Sequence, residues 1–412
     1  MLKRVKIQGY KSLVDVEVQL QPLTVLFGSN GVGKSNFLDA LQFLSRITAT
    51  NNLRYAFPLY RGTPLESFSF GPNGIQGLLA QERISFSIEV DIDLSQAVVD
   101  EVNRQISETG GPKIIREKNK VDLRSRMPFV SEKYLRYHIE IETIPKTAIL
   151  RVADEKLSTL NAQSELVELL VSVDQSTSDS SQSILSMPIY SHLSPYVVAL
   201  RQELANWFFY YLEPRERMRA STPLKEVRHI GMMGEELPAF LNTLRALDQA
   251  QFKAVENALH MIIPSITGID IDVNNSGEVV LRLLEGNTQI PTSVLSEGTL
   301  RILGLLALGG VKEPPGLIGF EEPENGIHQR RLRLIASLLK NLASGDTQVI
   351  VTTHSPLLVD LIPHESLYVC RKPQGSTVIE PFSDWELLEK AMDDEEEDLS
   401  VSERIQRGDF DV

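Results

Sequence analysis

A single cysteine, Cys370, in 412 residues excludes an intramolecular disulfide and suits a reducing compartment. Long apolar runs are missing too. The longest, Ile302 to Val311, carries three glycines and is too short to span a bilayer. The opening Met1-Leu2-Lys3-Arg4-Val5-Lys6 runs straight into an alternating strand, with no apolar secretory core behind it. A soluble, cytoplasmic protein with no membrane contact is expected. Positive charge is scarce: a net charge of −14 argues against bulk electrostatic attachment to nucleic acid. Basic residues do cluster at Lys113–Lys120, Arg124–Arg126 and Arg215–Arg219, each reading as solvated surface before it reads as a DNA groove. The acidic run Asp393–Asp398 reads as a self-repelling, flexible tail. With 42% hydrophobic and 23% charged residues, the chain is of globular type and long enough for two domains or one elaborated domain.

What is present begins near the N-terminus. Gly28-Ser29-Asn30-Gly31-Val32-Gly33-Lys34-Ser35 fits the phosphate-binding pattern G-x-x-x-x-G-K-[ST] at every constrained position. It lies between an apolar strand, Leu23–Phe27, and a segment with helical spacing at Phe37, Leu38, Leu41, Phe43 and Leu44. Strand, glycine loop and helix are the context in which the motif makes a site. Glycines let backbone N–H groups and the helix N-terminus converge on an anion. Lys34 is placed to reach the β- and γ-phosphates and Ser35 to ligate Mg²⁺, with Asn30, Gly31, Val32, Gly33 and Asn36 completing the nucleotide contacts.

Three later segments narrow the class. In Gly316-Leu317-Ile318-Gly319-Phe320-Glu321-Glu322 an apolar strand ends in adjacent carboxylates, as a Walker B element requires. Glu321 suits the metal and Glu322 the attacking water. In Leu295-Ser296-Glu297-Gly298-Thr299, Ser296 is a good helix N-cap with Glu297 in the first turn, and Ser296, Glu297 and Gly298 together form a candidate second phosphate-binding surface. In Gln348–Pro356, an apolar strand ends in Thr352-Thr353-His354-Ser355, which places His354 at the C-terminal edge of a parallel sheet. There it can bond the γ-phosphate or the attacking water.

These motifs in this order, with Ile7-Gln8-Gly9-Tyr10-Lys11-Ser12-Leu13 at the start and Glu322-Pro323-Glu324-Asn325-Gly326-Ile327-His328 after Walker B, resemble the RecF/SMC-like branch of ABC ATPases, and within it the AAA_21 (AAA_15/21) group. Leu212-Glu213-Pro214 with Arg219, and Glu236–Leu241, extend the likeness more weakly. The resemblance implies an α/β fold of the ABC/RecF P-loop type, with a mixed central sheet flanked by helices and an antiparallel β subdomain. It implies ATP and Mg²⁺ as ligands, and a homodimer in which the signature of one subunit covers the γ-phosphate held by the other, alone or as a higher assembly of dimers. The chain departs from the wider class at Glu321, where Asp is usual, and at the Ser-Glu-Gly-Thr signature. Gln76 and Gln81 are candidates for the Q-loop glutamine by position only.

Between Ser35 and Ser296 lies a long insertion without the apolar heptads of a coiled-coil arm. Alternation at Ile84–Ile92 and at Tyr137, Ile139 and Ile141 predicts antiparallel strands. Helical spacing is read at Leu157–Val173, Leu193–Tyr211, Leu237–Leu247 and Phe252–Ile262, around a polar linker Asp174–Ser183. Strands return at Gly268–Val273 and Val279–Leu284. Trp207-Phe208-Phe209-Tyr210-Tyr211 reads as core and not as a base-stacking platform. The expected organisation is an ATPase head in two parts, 1–150 and 266–385, an inserted helical lid at 151–265, and an acidic tail at 386–412. The stretch after His354 is too short for the Toprim nuclease fused in OLD-type relatives. The resemblance therefore implies an ATP-hydrolysing switch acting with a separately encoded effector or nuclease, in prokaryotic antiphage defence or DNA processing. Two alternatives stay open: a RecF-like DNA-binding repair ATPase, and a non-catalytic nucleotide-dependent regulatory module.

Overall fold

A computed structural model of the chain describes residues 1–57, 62–108, 129–174, 182–189, 194–309, 314–384, 400–408 and 410. The Lys113–Lys120 and Arg124–Arg126 clusters, the Asp393–Asp398 run and most of the Asp174–Ser183 linker lie outside them. In chain order the elements are β1 (Leu2–Tyr10), β2 (Leu13–Gln19), β3 (Leu23–Phe27), α1 (Lys34–Ile47), α2 (Gly74–Leu79), β4 (Ile84–Asp93), α3 (Gln96–Glu108), β5 (Tyr134–Ile144), β6 (Ile149–Leu160) and β7 (Leu166–Asp174). Next come α4 (Pro195–Ala205), β8 (Trp207–Tyr210), β9 (Thr222–Pro223), α5 (Leu237–Leu247), α6 (Gln249–Ile262), β10 (Gly268–Val273), β11 (Glu278–Glu285), β12 (Thr288–Pro291) and α7 (Glu297–Leu308). The last are β13 (Leu317–Glu321), α8 (Leu332–Ala343), β14 (Gln348–Thr353), α9 (Pro356–Val359), β15 (Leu367–Arg371), β16 (Val378–Pro381) and α10 (Val401–Arg407).

The central sheet runs β16-β15-β3-β14-β13-β8. From β15 to β8 every neighbour is parallel, and β16 closes the edge antiparallel. Its middle strands β3 and β14 are buried at every position, as a sheet covered on both faces demands. Alternate residues enter different cores: Leu26 and Ile350 pack on one side, Val25, Phe27, Val349 and Val351 on the other. The first core joins α1, α3 and α4 to a six-stranded antiparallel sheet ordered β2-β1-β4-β5-β6-β7. The second is built from α5 to α8 and the small β10-β11-β12 sheet. Fully buried Gln348 ties the two large sheets together, its side chain bonding Leu2 N at 2.7 Å and Leu2 O at 2.8 Å. This is the mixed, two-sheet α/β architecture that the motifs predict. Among the described residues no helix is long and apolar enough to cross a membrane.

The insertion departs from expectation. Leu157–Val173 is not helical: it falls in β6 and β7, two strands of the antiparallel sheet. The turn between them is made by Asn161, whose side chain accepts from the N–H groups of Gln163 and Glu165 at 2.9 Å, with Ser164 in the left-handed region at φ 62°. Register shifts between Leu157 and Ser158 and between Thr159 and Leu160 disturb the two-residue alternation, as bulges do. The apolar positions then mimic helical spacing. The Leu193–Tyr211 segment splits likewise, into α4 and then β8, an edge strand of the central sheet. Trp207, Phe209 and Tyr210 are buried there, as core residues should be, and Phe208 stacks on His229 at 4.3 Å. The region expected to be a helical lid thus contributes strands to both large sheets. Its helical part, α5 and α6, is joined at Asp248, which caps α6 by accepting from Gln251 N at 3.0 Å.

Candidate active site

The ends of three neighbouring strands, β3, β14 and β13, converge at the C-terminal edge of the parallel sheet, where ligands bind in open α/β folds. The loop after β3 needs its glycines. A Cβ on Gly28 would lie 2.2 Å from the carbonyl oxygen of Cys370, and one on Gly33 (φ 105°) would lie 2.1 Å from Thr377 Oγ1. From the other side, Thr377 donates to Val32 O at 2.6 Å and sits 2.7 Å from Ser12 Oγ, which accepts from Asn36 Nδ2 at 2.7 Å. The β1–β2 turn and the strand pair β15–β16 therefore brace the loop from below. Asn30 and Gly31 stay exposed, with their backbone open to a ligand.

Lys34 opens α1 and turns back, its ammonium donating to Gly28 O at 2.7 Å and Ser29 O at 2.8 Å. Burial pulls it below the ordinary lysine value, while Glu322, Glu324 and Glu321 work the other way. Ser35 Oγ donates to Glu321 Oε1 across from β13. The hydroxyl and carboxylate that Mg²⁺ needs are thus already adjacent. Magnesium fits this cradle: it takes one or two protein oxygens and completes its shell with phosphate and water. A closed cage is not expected, and none of three or more His, Cys, Asp or Glu occurs among the described residues.

Glu322 leaves β13 in the left-handed region, φ 47°, a costly conformation for a non-glycine residue. Its N–H is held by Thr352 O at 2.9 Å. Its carboxylate meets His354 Nδ1 at 3.0 Å, and both side chains are partly open to solvent. Beside the phosphate loop, a cavity of about 280 Å³ is lined by Gly28, Ser29, Asn30, His354, and Ile405 and Phe410 from the C-terminal segment.

The signature stands apart from this cluster. Ser296 caps α7, accepting from Thr299 N at 3.2 Å, and its hydroxyl lies 2.8 Å from that of Thr299. Glu297 pairs with Arg215 Nε at 2.7 Å. Arg219 donates to Pro214 O, Ser293 O and Leu295 O, which fixes the turn ahead of the helix. A Cβ on Gly298 would lie 2.5 Å from Gly326 O, so glycine lets α7 rest against the loop that follows Walker B. Buried Arg301 fastens that contact, donating to Asn325 O at 2.6 Å and Leu212 O at 2.8 Å. In one chain the signature side chains bond their own turn and Arg215, not the phosphate loop.

Several participants are not evident from the motifs. Ser12 and Thr377 buttress the loop, Asp39 holds Lys11 at 2.7 Å, and Glu324, two residues beyond Glu322, is buried. Ser12 and Glu324 sit inside quoted motifs but at positions without an assigned ligand; Thr377 has no motif. Gln76 and Gln81 are exposed on and just after α2, with no hydrogen bond from either side chain to the phosphate loop or Glu321. Gln42 on α1 instead lines a small chamber with Asp39, Tyr210 and Glu321.

A phosphate loop, a two-carboxylate strand end and a strand-tip histidine on a mixed sheet, with a capped signature helix on a separate surface, define a P-loop ATPase of ABC type. The family model AAA_21 (AAA domain, putative AbiEii toxin, Type IV TA system) matches residues 23–360. The chain belongs to that family, within the RecF/SMC-like ABC ATPases. A Helicobacter pylori protein named ATP/GTP phosphatase is 22% identical over 421 residues, spanning 96% of this chain and 99% of that protein. A DNA replication and repair protein RecF from Bacteroides thetaiotaomicron is 45% identical, but over 53 residues only, 13% of this chain and 14% of that protein. Among solved structures, an SmcHead bound to the C-winged helix domain of ScpA superposes with a TM-score of 0.53 at 12% identity, over 92% of this chain and 97% of that one. A second Smc head, with an extended coiled coil and bound to the C-terminal domain of ScpA derived from Pyrococcus furiosus, gives 0.50 at 10% identity, over 95% and 99%. At these identities the likeness is one of fold.

Proposed function

We propose that the chain binds and hydrolyses ATP in a composite site formed by two copies, and that closure of the dimer switches a separately encoded effector or nuclease. The observation that carries the reading is the meeting of Ser35 with Glu321 and of Glu322 with His354 at one sheet edge. Backbone N–H groups of the loop and the N-terminus of α1 receive the β-phosphate. Lys34 moves a donor from the carbonyls of Gly28 and Ser29 to the β- and γ-phosphates. Ser35 and Glu321 would hold Mg²⁺, which would supply charge neutralisation there. Glu322 orients water for attack on the γ-phosphate, and His354 bonds the γ-phosphate and senses its loss.

One wall of this site is lacking in a single chain. Ser296 and Gly298, at the N-terminus of α7, supply it from the partner copy, as a helix end suited to a phosphate. The name of the Helicobacter relative supports a hydrolytic reading, and the toxin description of the family supports a setting in conflict or defence. Heads of this fold bound to ScpA support docking of a second protein.

The RecF-like reading draws on the 53-residue match. Of the arginines that would serve a DNA groove, however, Arg215 is paired with Glu297 and Arg219 with three backbone carbonyls. Among the described residues, that leaves Arg217 as the one of the three whose side chain has no such partner. Phosphate release by wild type, Lys34→Ala and Glu322→Gln, read beside ATP binding, tests the proposal. Turnover in wild type, loss in both variants and retained ATP binding in Glu322→Gln are expected. Unchanged turnover in Glu322→Gln would refute it.

A further inference from the structure

Glu324 lies two residues beyond Glu322 and is 6% exposed. One carboxylate oxygen accepts from the hydroxyl of Thr353, and the other is buried with no hydrogen-bond partner from another residue among the described residues. Such a group is costly, and its persistence calls for a reason. Thr353, fully buried at the end of β14, uses the same hydroxyl oxygen to accept from Ser355 N at 3.0 Å. The hydroxyl therefore fixes both ends of the peptide unit that presents His354. Opposite, the turn that carries Glu322 is closed by Asn325 N to Glu322 O at 3.1 Å, and by Ile327 N to Glu324 O at 2.9 Å.

We propose that Glu324 is a positioning residue for ATP hydrolysis: through Thr353 it clamps the turn carrying His354 to the turn carrying Glu322, fixing the separation at which the two side chains face the γ-phosphate. The inference rests on the hydrolytic reading above. Three ties join the turns. They are Glu322 N to Thr352 O in the backbone, Glu324 to Thr353 beneath, and Glu322 to His354 at the surface. The surface tie is the one that substrate must interrupt, because both of its groups turn to the γ-phosphate. The buried tie keeps its place while that happens. Without it, a non-glycine residue at φ 47° has less to hold it, and strained backbone relaxes when its surroundings stop over-determining it. Burial also pushes the Glu324 carboxyl above the ordinary range, with the Thr353 bond acting the other way. A neutral side chain of the same shape is therefore a fair substitute.

The test uses the full chain and steady-state ATP hydrolysis with Mg²⁺, for Thr353→Val, Thr353→Ser, Glu324→Ala, Glu324→Gln and the Thr353→Val/Glu324→Ala pair. Turnover is scaled to the sites that bind a fluorescent ATP analogue, so that misfolded protein is not counted. Thr353→Val and Glu324→Ala should lower kcat about 10- to 100-fold, the loss typical of a misplaced reacting group, with KM for ATP within about twofold. The pair should be no slower than either alone, because one link is broken in all three. Thr353→Ser and Glu324→Gln keep the hydroxyl and the acceptor, and should recover most of the lost kcat. The clamp is overturned if Thr353→Val turns over like wild type, if Thr353→Ser is as slow as Thr353→Val, or if the single losses multiply in the pair. An inactive wild type, or an active Glu322→Gln, would instead remove the hydrolytic reading on which the clamp rests.

Discussion

The two large sheets handle charge in opposite ways. On the antiparallel sheet, opposite charges alternate along one face. Arg4 meets Glu17 at 2.6 Å and Glu89 at 2.8 Å, and Arg136 grips Asp91 with two bonds of 2.6 Å. At the tip of the parallel sheet, Glu321, Glu322 and Glu324 crowd together; Lys34 acts on all three, and Arg301 on Glu322 and Glu324. Both cations give their described hydrogen bonds to backbone carbonyls. The first arrangement is self-neutralising. The second leaves like charges, an unpartnered carboxylate oxygen and a left-handed glutamate backbone in one place. Such violations of local rules are tolerated where a ligand relieves them, so the contrast separates a scaffold from a site.

The largest effects should come from the tip. Replacing Lys34 with Ala or Glu322 with Gln should cut phosphate release by about two to three orders of magnitude, with little change in melting temperature; a comparable loss of stability would break the contrast. Arg219 should come next. Arg219→Ala strips donors from three carbonyls at the signature turn, and should cost about 1–3 kcal/mol in urea unfolding as well as lowering turnover.

On the scaffold the two readouts should part company. Asp91→Ala should cost about 1–3 kcal/mol of stability while kcat of the folded fraction stays within about twofold. Acid should have the same selectivity. The Arg4 guanidinium holds the Glu17 carboxyl below its ordinary 4.5, so that increment is present above 4.5 and is lost as pH falls through the lowered folded value. The smallest effect concerns Cys370, whose thiol burial pushes up to about 12. Iodoacetamide at pH 8 should leave it unmodified until the chain unfolds, because the thiolate is the reactive form. Fast labelling of folded protein would show that the strand beneath Gly28 opens readily.

Legibility followed chemistry. A tight glycine loop between strand and helix restricts residue types so closely that Gly28–Ser35 reads directly as one, and apolar strands ending in Glu321-Glu322 and in Thr353-His354 announce a parallel-sheet edge. Helices α5 and α6 and strands β10 and β11 could likewise be read from uninterrupted periodicity. Strands β6 and β7 could not, because their bulges shift the apolar pattern out of step and their hairpin turn has Asn161 and Ser164 in place of glycine. Strand β8 was hidden for a different reason. Four consecutive aromatic residues have no period, and only the neighbouring β13 makes them a strand. Glu324 stood in plain view within Glu322-Pro323-Glu324, yet its partner Thr353 is 29 positions away, a pairing that only the tertiary fold brings about.

The central claim, an ATP-driven composite site, is tested most directly by the solution mass of Glu322→Gln with ATP and Mg²⁺, set against Glu322→Gln carrying Ser296→Arg as well. The first should double its mass when ATP is added and the second should not, because an arginine at the helix cap blocks the surface offered to the partner's γ-phosphate. Equal masses for the two proteins, with or without ATP, would contradict the claim.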